Sequence, residues 1–297
     1  MTAAARNVLL IADDFAISEG VSEGIAQLAK TRRISGTSAL VTLARWRQDG
    51  PRVAALRPDI ATGLHVNLTL GAPLGPMPRL APEGKLPPIA TVIGLALTGR
   101  LDRSELEAEI GRQLAQFTEI TGHRPDFIDG HQHAHALPVV REALISALLR
   151  FYGDAQHKPL VRVPTDSLGA VLTRPGARAK AMLLTGLSAG FARALAAARL
   201  PANDSFAGVT GFGSSIADVQ RDFCSALHGA GRLHLVMCHP GVPSDELAAL
   251  DPITIRRAAE LEVLADDDNV LSERLLHPHR EGTDGTIDWG RIAAGLR

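Results

Sequence analysis

An apolar run, Val8-Leu9-Leu10-Ile11-Ala12, stops abruptly on two adjacent carboxylates, Asp13 and Asp14. A short run of this kind reads as a buried strand of a parallel sheet. Two neighbouring carboxylates at its exit cannot both stay ionised at low cost unless something positive shares their site, and a divalent cation meets that need. Three further runs stop in the same way on a histidine. Ile60-Ala61-Thr62-Gly63-Leu64 leads into His65, Phe127-Ile128-Asp129-Gly130 into His131-Gln132-His133-Ala134-His135, and Leu233 to Cys238 into His239-Pro240-Gly241. In sheet-and-helix folds the carboxyl ends of parallel strands converge on one face, where ligands bind. The pattern points to a metal-dependent hydrolase.

Between these runs the chain alternates strand and helix patterns, which predicts an α/β fold with parallel strands wrapped by helices. Its 297 residues fit one large domain, ample for a closed barrel core. Ser18 is the expected N-cap of a helix over 19–31, followed by a strand over 37–42 and a helix over 45–56. Positions 71–88 are rich in Gly and Pro without periodicity, the signature of a functional loop. Helices are expected over 104–121, with Ser104 and Glu107 as a capping box, and over 138–151, 218–229 and 251–265. A short strand is expected over 160–164. The Ala- and Leu-rich stretch 176–200 reads as one or two amphipathic helices, and the C-terminal remainder as a short strand, a loop and a helix.

Composition narrows the function classes. The formal net charge is −1 and the basic residues are scattered, which argues against a nucleic-acid partner. Cys224 and Cys238 have no metal-type spacing and no disulfide framework. Only Arg6 precedes the first apolar run, which is short and ends on two aspartates, so no export signal is expected there. The uncharged stretch 89–97 is far shorter than a membrane span of ~20 residues. A soluble cytoplasmic protein without a transmembrane segment is the expectation.

A catalytic metal site needs about three protein ligands and one open position. Asp14, His65 and His131 are the economical choice, although spacing alone does not choose among His131, His133 and His135. Asp13 is then left free as a general base, and His239, on another strand end, can protonate a leaving group. Asp129 reads either as a partner that orients an imidazole or as a turn residue beside Gly130. Arg162 lies inside an apolar strand, where an unpaired charge is costly, so it is expected to hold Asp13 or to form a structural ion pair. A carboxylate and imidazole donor set accepts Mg²⁺, Zn²⁺, Mn²⁺ or Ni²⁺.

Ala12-Asp13-Asp14-Phe15, Gly63 to Thr69, Asp129 to His135, and Met237 to Gly241 resemble, in order and across almost the whole chain, the motifs of the YdjC-like carbohydrate deacetylases. That family includes chitooligosaccharide deacetylases and a hopanoid-biosynthesis-associated branch, which the Asp-Gly-His-Gln-His run resembles more closely. The resemblance implies a (β/α)-barrel-like fold and removal of an N-acetyl group from an amino sugar. It also implies one divalent cation, Mg or Zn, held by Asp14, His65 and His131, with Asp13 as base and His239 as acid. The choice of His131 over His133 rests on it, and His133 is left to orient substrate. A homodimer is expected by analogy with the family. One departure stands out: Ala16 occupies a position that is usually Gly, where a positive φ or a close substrate approach is expected. Two other readings compete, a hydrolase of a phosphoester and a sugar- or lipid-binding member of the same fold without turnover.

Overall fold

The computed structural model describes residues 6–173, 177–281 and 285–296. Seven parallel strands form one sheet: β1 (Val8–Phe15), β2 (Gly36–Ala39), β3 (Ala61–Val66), β4 (Phe127–Gly130), β5 (Leu160–Val161), β6 (Ser205–Ala207) and β7 (His234–Cys238), in the order β5-β4-β3-β2-β1-β7-β6. The two outermost strands nearly meet. Val161 bridges Ala202 in parallel, and the Asn203 side chain accepts from Val163 N at 2.8 Å and donates to Val163 O at 3.0 Å. An asparagine amide thus imitates a strand backbone and knits the seam, giving the (β/α)-barrel-like fold expected from sequence.

Successive side chains on a strand face opposite ways, and the buried residues divide accordingly. Val8, Leu10 and Ala12 of β1 join the large outer core under the helices. Leu9 and Ile11 join a smaller cluster with Ala61, Phe127, Leu160, Leu235 and Met237, which fills the barrel. Ile287 and Trp289, at the start of the C-terminal helix Trp289–Gly295, join that inner cluster.

Most helices lie where their caps and periodicity place them. Ser18 caps Glu19–Lys30, its hydroxyl accepting from Val21 N at 3.3 Å. Helices Trp46–Leu56, Val140–Tyr152 and Ile216–Ala226 also match the sequence pattern closely. The predicted capping box at Ser104 and Glu107 is not the one used. Asp102 caps Arg103–Thr121, accepting from Ser104 N and Glu105 N at 2.9 and 3.1 Å, and the Ser104 hydroxyl is itself bonded to that carboxylate. The 71–88 loop is closed at its base by Leu86 N donating to Gly71 O and is pinned to this helix through Glu109, which accepts from Leu74 N. It leads into an unforeseen helix, Ile89–Leu97.

The Ala- and Leu-rich stretch forms Arg178–Leu187 and Phe191–Ala197; position 176, its predicted start, lies outside the described residues. The expected C-terminal strand is replaced, among the described residues, by isolated bridges, Val8 with Leu275 and Glu281 with Thr286. Among the described residues, no helix is long and apolar enough to cross a membrane.

Candidate active site

One step beyond the apolar layer of the barrel, the inward alternation reaches Asp13, Ser38, His65, Asp129, Arg162 and His239. Gly63 makes room for this change of layer: a Cβ there would lie 2.6 Å from the Phe127 ring, which fills the interior beneath. Asp14 would point outward on a regular strand. Its φ of +69° and a shift in the β1–β2 register between Ala12 and Phe15 break the alternation, and its carboxylate joins the same group.

Asp14 Oδ1 lies 3.0 Å from His131 Nδ1 and 3.3 Å from His65 Nε2, so the structure brings these three residues together, with donor atoms within 4.8 Å of one another. His65 Nδ1 is 2.7 Å from Asp129 Oδ1 and 3.1 Å from the Ser38 hydroxyl, which also donates to Asp129 at 3.0 Å. Asp129 holds a proton on Nδ1 and leaves Nε2 facing Asp14, the arrangement that orients an imidazole for a cation, which would take the place of any proton on Nε2. Burial opposes charge on His65, yet Asp129, Asp13 and Asp14 raise its pKa to about 10. The pocket therefore draws in positive charge, and one carboxylate with two imidazoles fits a divalent cation.

Asp13 faces Arg162, which donates to both its oxygens at 2.6 and 2.7 Å and to Asp129 at 2.6 Å. Burial pushes the Asp13 carboxyl up and Arg162 pulls it down, and burial prevails. On Asp14 the balance is reversed: burial is overcome by Arg257 and His131, and the carboxyl sits well below its usual range. His239 is half-buried, its backbone N–H donating to Glu260 at 2.5 Å. Burial and Arg257 hold its ring well below the usual histidine pKa.

The histidine-rich run departs from expectation. Its sequence predicts a strand whose alternate side chains share a face, but His131–Ala136 is a 3₁₀ helix with Gln132 and His133 at φ +52° and +60°. That turn separates the three rings. His131 reaches Asp14, while His135 bonds Arg162 O through Nε2 at 2.9 Å. His133 packs edge-on against Phe206, with ring centroids 5.5 Å apart. Burial, then Arg162, holds the His133 ring well below the usual histidine pKa.

The sequence matches the family model described as YdjC-like protein over residues 7–270. The chain belongs to this family. Among named relatives, a chitooligosaccharide deacetylase of Klebsiella pneumoniae is 33% identical over 50% of this chain and 58% of its own length. A carbohydrate deacetylase of Homo sapiens is 32% identical over 52% of this chain and 49% of its own. The alignments thus span about half the length of these relatives. A crystal structure from Enterococcus faecalis V583, of a protein named for proposed cellobiose-phosphate cleavage, superposes with a TM-score of 0.68 at 20% identity, covering 92% of this chain and 97% of that one. It shares the fold.

Against this YdjC-like frame, three site residues were not anticipated from sequence: Ser38, Arg257 and Glu260. Ser38 follows Gly36 by two residues on β2, and strand alternation could have found it. Arg257 and Glu260 lie on helix Ile255–Ala265, where a charged residue reads by default as solvated.

Proposed function

We propose that the chain is an amino-sugar N-deacetylase that works with one divalent cation held by Asp14, His65 and His131. The observation that carries this reading is the convergence of these three donors beside Asp13, itself gripped by Arg162. The names of the relatives supply the substrate class, an N-acetylated amino sugar. The Asp129-to-His133 run supports the hopanoid-associated branch, hence a glycosylated lipid among the acceptors, and a cytoplasmic location is expected.

A cation bound at these donors supplies Lewis acidity, polarising water and the acetamide carbonyl. The protein groups handle the protons. Asp13, with its carboxyl raised by burial, accepts a proton from the attacking water. Arg162 fixes the orientation of that carboxylate and is fixed in turn by Asp129. Attack on the carbonyl gives a tetrahedral species, and its collapse breaks the amide C–N bond and releases acetate. The departing amine needs one proton. His239 is neutral at neutral pH, so it delivers that proton after receiving the one Asp13 took from water.

A two-cation phosphoesterase is the competing reading, and Asp13, His65 and Asp129 do form a second potential donor group. Arg162 argues against it, because its guanidinium already bonds both of those carboxylates. The φ of +71° at Ala16 weakens the case for a member without turnover, since the turn that glycine normally serves is formed with alanine.

Acetate and phosphate release from N-acetylglucosamine oligomers, an N-acetylated amino-sugar lipid and a phosphorylated sugar separate these readings. Acetate alone is expected. Asp13→Asn should retain the cation and lose about 10²–10⁴-fold in turnover. Phosphate release, or near-normal turnover in Asp13→Asn, would contradict the proposal.

A further inference from the structure

The first turns of helix Ile255–Ala265 bury charge and expose an apolar residue, while Ala259, Val263 and Leu264 pack in the core. Ile255 is 68% exposed, while Arg256, Arg257 and Glu260 are 3%, 0% and 3% exposed. Burying a charge is costly unless it is paired, and each of these three is. Arg256 bonds Glu260 and Asp222 at 2.6 and 2.8 Å. Glu260 accepts from the backbone N–H of His239. Arg257 donates from Nη2 to Asp14 Oδ2 at 2.6 Å and to Asp251, and from Nε to Ile253 O at 3.0 Å. Its main-chain oxygen accepts from Gly241 N at 3.1 Å.

The loop after β7 is therefore held from two sides. Helix Ile255–Ala265 bonds it at His239 and Gly241. Helix Glu19–Lys30 closes on its other side so tightly that a Cβ on Gly241 would lie 2.8 Å from Val21 Cγ2. One side chain, Arg257, links this clamped segment to the carboxylate on β1.

We propose that Arg257 is a positioning residue, fixing Asp14 through Oδ2 so that Oδ1 faces His65 and His131, while its backbone sets the His239 loop against the same carboxylate. The inference rests on the one-cation deacetylase reading and deepens it. Asp14 has a left-handed backbone, which alone does not define where its carboxylate points, and the guanidinium supplies the missing restraint. Arg257 also neutralises the far oxygen, which leaves one carboxylate atom rather than two as the donor.

The test uses the full-length protein stripped of metal, titrated with Zn²⁺ alone by calorimetry, together with acetate-release kinetics and thermal melting. Arg257→Lys keeps the charge but loses the planar fork. Arg257→Met keeps apolar bulk, a type of replacement that buried ion pairs often tolerate in stability. Both should melt cooperatively. Zn²⁺ affinity should fall about 10–100-fold in Arg257→Met and less in Arg257→Lys, with kcat falling and KM nearly unchanged.

Asp251→Asn, which loosens Arg257 without replacing it, should shift affinity in the same direction by a smaller factor. If the Arg257 variants do not fold, this variant decides. Parental Zn²⁺ affinity and kcat in a folded Arg257→Met, or in Asp251→Asn where that variant decides, would overturn the proposal. A parent protein that binds no Zn²⁺ and releases no acetate would instead remove the deacetylase reading on which it rests.

Discussion

Strand β4 is bracketed by two buried aspartates that are treated in opposite ways. Asp126, just before its amino end, accepts from Thr62 N at 2.8 Å and from both terminal nitrogens of Arg280 at 2.8 Å. Trp289 Nε1 bonds its backbone oxygen at 2.7 Å. Every one of these partners ties the C-terminal segment and β3 to the base of the barrel. Asp129, at the carboxyl end, bonds His65, Ser38 and Arg162, and those partners lead to Asp14 and Asp13. The same residue type with an arginine partner closes the fold at one end and aligns reactive groups at the other. Positive φ is not confined to one end: Asp14, Ala16, Gln132 and His133 have it at or past the carboxyl ends of strands, and Arg32 and Arg199 have it ahead of β2 and β6. At the site such strain persists because the surroundings over-determine it.

The largest test of this contrast exchanges each carboxylate for an amide. Asp126→Asn should cost about 3 kcal/mol of stability, because it leaves Arg280 without its charge partner, yet should leave kcat per folded molecule unchanged. Asp129→Asn should do the reverse, lowering cation affinity and kcat by about 10–100-fold. Its stability cost should be the smaller one, since the repulsion between Asp129 and Asp13 is also removed. Urea unfolding and kinetics on both variants check this, and equal effects on the two readouts would erase the distinction.

A smaller effect is expected at Ala16. Its left-handed backbone is held by Ser22, whose hydroxyl accepts from Ala16 N at 3.0 Å. Ala16→Gly should relieve strain and stabilise by up to about 1 kcal/mol, with kcat within about twofold, because the geometry already exists. Destabilisation would mean that the turn carries no strain.

The smallest effect lies near the base, at His277. Burial, with Arg32, Arg6 and His279, lowers its pKa to about 4. The unfolded chain takes up this proton near pH 6.5 and the folded chain only near 4. Stability from His277 is therefore present above pH 6.5 and is lost as pH falls through that window. His277→Gln should flatten the slope of stability against pH there without altering kcat, and an unchanged slope would count against it.

The sequence revealed the strand ends better than the turns beyond them. The placement of Asp13, His65 and His239 was legible because apolar runs aim their last residues at one face, whereas Asp14 joins them only through its left-handed backbone. The His131–Ala136 turn was not, because left-handed residues have no period to read. The strand over 37–42 ends at Ala39, after which Leu40 N bonds Phe15 O and the chain turns away. Strand β6 is too short to show alternation. Arg257 and Glu260 were hidden because helical spacing gives no sign of which charged side chain is buried. Asp102 displaced Ser104 as a helix cap because an ionised carboxylate accepts from two backbone N–H groups at once.

The most direct measurement titrates metal-stripped protein with Zn²⁺ while following acetate release from an N-acetylated amino sugar in the same sample. The account predicts that release rises in proportion to bound cation and levels off at one equivalent, and that Asp14→Ala shows neither tight binding nor release. Full activity in the stripped protein, or tight binding that survives Asp14→Ala, would contradict a cation held by Asp14, His65 and His131.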